Sequence, residues 1–173
     1  MNLRLQSKRV AVATLFGAVM FTTATILPSP IDKMFIIVHA LPLALGALLL
    51  RRFGATYVAI VGGILTALWR TALAPFSFVF ALLYGLLVDG FFFIFNVYVD
   101  DGTVKTGRIM ASMTISTALV GVLSYYVTVL SLNLLQRNFA LEVAILVAGT
   151  LNGIVAGYLT SIIWNKHLKN ARL

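Results

Sequence analysis

The sequence predicts an all-α membrane protein, a six-transmembrane-helix bundle with both termini in the cytoplasm. Three observations carry that expectation. First, about six continuous apolar stretches fill most of the 173 residues. A span needs roughly 17–25 mostly apolar residues to cross about 30 Å of hydrocarbon, where only helices and closed barrels hide their backbone polarity. Second, hydrophobic residues make up 61% of the chain and charged residues 10%, against about 25% charged in a soluble domain. Third, lysine and arginine gather in every second connection between the apolar stretches.

The expected helices run over 10–27, 34–50, 54–70, 77–99, 109–132 and 140–164. The first follows Arg4, Lys8 and Arg9, exceeds the roughly 7–15 apolar residues of a signal core and lacks a small-residue cleavage site, so it reads as a retained helix. Pro28-Ser29-Pro30, with Asp32 and Lys33, makes a tight turnaround into the second helix. That helix carries His39, with no His or acid at helical spacing, and Pro42, which predicts a bend. Arg51-Arg52-Phe53-Gly54 is a basic turn into the third helix. The fourth places Asp89 near its centre. Asp100-Asp101-Gly102 opens the longest polar connection, and Asn133, Arg137 and Glu142 flank the last turn. The chain reads as a single transmembrane domain over 1–173.

With the N-terminus inside, ten cations face the cytoplasm: Arg4, Lys8, Arg9, Arg51, Arg52, Lys105, Arg108, Lys166, Lys169 and Arg172. Three, Lys33, Arg70 and Arg137, face outward. This positive-inside bias sets the orientation in a cell membrane. It also accounts for the net charge of +8 without a nucleic-acid partner.

The absence of cysteine removes disulfides and thiolate chemistry, and two histidines with five acids are a thin stock for a metal site. Walker-type glycine loops, HExxH, Gly-x-Ser-x-Gly and paired intramembrane aspartates are all missing from the sequence. The expectation is a non-enzyme without a metal or cofactor.

Small residues four apart allow helices to approach closely in lipid. Such faces occur at Ala13 and Gly17, at Ala55, Ala59, Gly63 and Ala67, and at Gly149, Gly153, Gly157 and Ser161. Each is read either as packing within the chain or as a docking face for a partner. Asp89 has two readings as well. A carboxylate deep in a span costs about 2.5–3.5 kcal/mol, so it serves either a coupling-ion or proton site or a structural role capping a neighbour.

The outer half holds the candidate ligand site: Trp69, Arg70, Phe76, Tyr84, Tyr125, Tyr126 and Asn152. Guanidinium suits carboxylate or phosphate capture, and aromatic rings suit a flat ligand. Singly, each tyrosine also fits a packed side chain with a satisfied hydroxyl.

Size, six helices, the Ala13/Gly17 spacing and the run from Pro75-Phe76-Ser77-Phe78 through Tyr84-Gly85 to Asp89-Gly90 resemble the substrate-binding S components of energy-coupling factor (ECF) transporters. Helix 1 departs from the family's paired-alanine seam by having Gly17 at the second position. The resemblance implies a subunit that captures a vitamin or related micronutrient outside the cell, such as a thiamine-type pyrimidine, with a bulkier cobalamin left open. It further implies docking through helices 1–3, with Ala13, Gly17, Ala55, Ala59 and Gly63 at the interface, on a transmembrane coupling protein driven by two ATPase subunits. Two alternatives stand beside it: a stand-alone ion-coupled carrier using Asp89, and a non-transporting membrane scaffold using the glycine face of helix 6.

Overall fold

The computed structural model describes residues 3–26, 36–51, 53–71, 74–97, 102–130 and 137–169, with side chains from Ser7 onward. The turnaround at Pro28-Ser29-Pro30 with Asp32 and Lys33, together with Arg52, Asp100, Asp101, Asn133 and Arg172, lies outside the described residues.

Six α-helices are described: α1 Leu3–Ile26, α2 Ile37–Leu50, α3 Gly54–Trp69, α4 Ala74–Ile94, α5 Thr106–Leu130 and α6 Phe139–Ile163. The last widens into a π-turn over Trp164–Leu168. Four segments are long and apolar enough to cross a membrane: Ser7–Ile26, Ala74–Ile94, Thr106–Leu130 and Phe139–Leu168. With 14 and 16 residues, α2 and α3 are shorter apolar helices, about 21 and 24 Å long at 1.5 Å per residue.

The short α2 sits at the centre. Nine of its fourteen residues are buried, Pro42 among them, and it touches each of the other five helices. The most extensive packing lies between α5 and α6, then between α3 and α4 and between α1 and α3.

Close approach explains these contacts. A Cβ at Gly17 would stand 2.7 Å from that of Val61 and 2.9 Å from the Gly62 nitrogen, which fastens α1 to α3. On α4, a Cβ at Gly85 would lie 2.6 Å from that of Ala59 and 2.9 Å from the Ala55 oxygen. Glycines 149, 153 and 157 likewise press the α6 backbone onto α5 at Ala118, Thr114 and Met110. Thr117, on the same seam, bridges the pair by donating to the Gly149 carbonyl at 2.8 Å. In lipid such contacts do the work that hydrophobic burial does in water.

The end of α4 differs from the expected 77–99. Asn96, at φ 48°, takes the left-handed conformation, and its N–H donates to the Phe93 carbonyl. The next N–H, from Val97, reaches back to Phe92 at 2.9 Å. That pair of bonds is a Schellman stop, and the buried Phe92 and Val97 supply its usual apolar contact. The helix is therefore assigned only to Ile94, and Asp89 stands five residues, about 8 Å, from its end rather than near the middle.

Candidate functional site

A helix end in an apolar medium needs partners for its free amides and carbonyls. Among the described residues, Asp89 and two arginines answer that need. Phe53, at the N-cap of α3, has no side-chain acceptor to offer. Asp89 of α4 takes its place. One carboxylate oxygen accepts from the Ala55 N–H at 3.1 Å, and the other accepts from the Thr56 N–H at 2.8 Å and the Thr56 hydroxyl at 2.7 Å. These are the second and third residues of α3, the amides that an N-cap side chain normally serves. The negative charge also lies at the positive end of the helix dipole.

Arginines do the converse at helix C-termini. Arg9 of α1 donates to the Leu50 carbonyl at the end of α2, 3.3 Å away. Arg108 of α5 donates to the Asn96 carbonyl just beyond α4, at 2.9 Å. The α4–α5 connection is pinned to the end of α6 as well. Asn165 accepts from the Val104 N–H at 3.0 Å and donates to the Val104 carbonyl at 3.1 Å, while the Trp164 indole donates to Gly102. All these contacts lie at one end of the bundle, where α1, α3 and α5 begin and α2, α4 and α6 finish.

The opposite end holds most of the sequence-derived ligand residues, in two groups. On the α1–α3 side, half-buried Arg70 donates to the Ala24 carbonyl near the end of α1, and Trp69, 69% exposed, meets Phe21 edge-on at 6.3 Å. On the α5–α6 side, Tyr125 and Tyr126 meet at 5.7 Å. The buried Tyr125 hydroxyl donates to the Asn138 carbonyl at 3.1 Å and accepts from its N–H at 3.0 Å. Half-buried Tyr126 donates to the Glu142 carboxylate. Phe76 is half-buried near the start of α4, and Asn152 is half-buried at the middle of α6.

Tyr84 lies deeper, in the core with α2 and α4 residues, and its buried hydroxyl has no hydrogen-bond partner among the described residues. The structure thus separates the seven. Tyr125 is a structural pin and Tyr84 a core residue, whereas Trp69, Arg70 and Tyr126 present polar or aromatic surface at the end of the bundle.

The proposed docking residues are likewise engaged within the chain. Ala13, Gly17, Ala55, Ala59 and Gly63 are all buried. Gly17 meets α3, Ala55 and Ala59 meet Gly85, and Gly63 meets Ala81 and Phe78 of α4.

Reading from sequence missed Arg9, Arg108, Thr117 and Asn165 as fasteners. A signal existed for some of them: each arginine sits near a helix start, opposite the end of a neighbouring helix in an up-down bundle. Among the described residues no three His, Cys, Asp or Glu side chains come together to hold a metal ion. Comparison with protein-family models, curated proteins and solved structures finds no match.

Proposed function

We propose that this chain is the membrane-embedded substrate-binding subunit of an ECF-type importer. It crosses the cell membrane six times with both termini inside, α2 spanning despite its length because other helices surround it. Ten cytoplasmic cations against three outside support that orientation.

One observation carries the reading: Asp89, the one buried carboxylate among the described residues, holds the first turn of α3 with both oxygens. A carboxylate so engaged is a poor coupling-ion site, which weakens the case for a self-sufficient carrier. Transport would then draw its energy from partner subunits, a coupling protein and two ATPases. The scaffold alternative loses support too, since the glycine face of α6 is covered by α5.

The ligand is a vitamin or related micronutrient, such as a thiamine-type pyrimidine, met at the outer end by Trp69, Arg70 and Tyr126, with Phe76 near the start of α4 and Asn152 deeper on α6. Native mass spectrometry of the gently extracted protein should detect a bound small molecule, lost or weakened in Arg70→Ala and Tyr126→Ala. Unchanged binding in both variants would remove the site. Gradient-driven uptake by the purified chain alone in liposomes, abolished by Asp89→Asn, would instead establish the carrier.

A further inference from the structure

The turn between α2 and α3 holds two bulky residues in backbone conformations that favour glycine. Arg51 has φ 58° and ψ −119°, and Phe53 has φ 58° and ψ 25°. Glycine would adopt either without strain, and strain retained at side-chain-bearing residues points to a use for those side chains.

Their surroundings indicate the use. The Arg9–Leu50 bond brings the start of α1 to the same corner, so that Lys8, Arg9 and Arg51 are exposed together. Asp89, which caps the start of α3, is turned inward onto that helix. Next to these cations along the chain stand exposed apolar residues: Val10 at 65%, Phe53 at 59% and, one helical turn on, Tyr57 at 55%. Cations at the head of an apolar, aromatic-edged strip match the charge and the layering of a phospholipid, with phosphate above and acyl chain below.

We infer that the corner formed by the start of α1 and the α2–α3 turn binds an anionic phospholipid, with Lys8, Arg9 and Arg51 around the headgroup and Val10, Phe53 and Tyr57 along the acyl chain. An acidic protein surface would satisfy the cations alone. The exposed Val10, Phe53 and Tyr57 that follow them in the chain favour lipid.

The test uses delipidated full-length protein in detergent, titrated with phosphatidylglycerol or with phosphatidylcholine of the same chains and read by native mass spectrometry. Phosphatidylglycerol should be retained preferentially, and excess inorganic phosphate should not displace it. Each of Lys8→Gln and Arg51→Gly should weaken its retention about fivefold, whereas Lys166→Gln should not. Equal retention of the two lipids, or a preference untouched by Lys8→Gln and Arg51→Gly, would overturn the proposal. So would displacement by inorganic phosphate. A stoichiometric protein partner lost in these variants while lipid retention stays constant would assign the corner to protein and overturn it as well.

Discussion

Asp89 holds Thr56 at two points, accepting from its backbone N–H at 2.8 Å and from its hydroxyl at 2.7 Å, so that a residue of α4 closes the first turn of α3. Asparagine can supply one of the two acceptor oxygens but brings an amide donor where the other stood. Asp89→Asn should therefore destabilise the folded chain by about 1–3 kcal/mol, with ligand retention at low temperature unchanged. Thermal unfolding in detergent reads the first and native mass spectrometry the second. An unaltered melting temperature would contradict the capping role.

Two glycines offer an internal comparison. A Cβ at Gly153 would lie 2.5 Å from the Thr114 Cα and 2.8 Å from the Met113 oxygen, while one at Gly90 meets nothing within 4 Å. Gly153→Ala should lower stability by about 1–3 kcal/mol through overpacking. Gly90→Ala should leave it unchanged or raise it by about 0.5–1 kcal/mol, because alanine suits a helix better. Paired melting curves decide; equal shifts would mean that α5 and α6 are not in such close contact.

The double bond between the Tyr125 hydroxyl and the Asn138 backbone fastens the end of α5 to the start of α6. Tyr125→Phe keeps the ring and removes both bonds, at a cost of about 1–3 kcal/mol. Hydrogen exchange at the Asn138 amide should accelerate, with the middle of α6 unaffected. Unchanged protection at Asn138 would show that the hydroxyl is not what holds the turn.

The pairing of Asn165 with Val104 makes its own prediction at the other end. Asn165→Ala frees the segment before exposed Lys105, and tryptic cleavage after that lysine should rise about tenfold, the equivalent of about 1.4 kcal/mol. The same cleavage rate in both proteins would argue that Trp164 and Gly102 alone secure the connection.

Orientation can be read directly, since the chain has no cysteine of its own. A membrane-impermeant maleimide should modify Arg137→Cys in intact cells and Lys105→Cys only after permeabilisation. The reverse pattern would invert the bundle and place the proposed ligand residues inside.

Much of the architecture was legible because lipid imposes a coarse rule, that each crossing be a long apolar run. Helices α1, α5 and α6 carry that signal plainly. The stop of α4 was not, because Asn96 is followed by Val97, Tyr98 and Val99, and the apolar run hid a helix end made by one left-handed residue. That misplacement put Asp89 at mid-depth and made it look like a transport residue. Both readings of Asp89 were visible in the sequence, yet its partners, Ala55 and Thr56, are more than thirty residues away, beyond the reach of local pattern. The small-residue faces meet neighbouring helices closely at Gly17, Gly63, Gly149, Gly153 and Gly157. Nothing in spacing, however, distinguishes a neighbour within the chain from a separate subunit.

The shared cap between α3 and α4 bears on how the protein is made. Thr56 emerges from the ribosome 33 residues ahead of Asp89, and until the later residue arrives the Ala55 and Thr56 amides lack the acceptor that they have in the finished fold. A short helix with bare amides is a poor passenger in hydrocarbon. The natural unit of insertion is therefore the α3–α4 hairpin, delivered whole, with the carboxylate that completes the first helix carried in by the second.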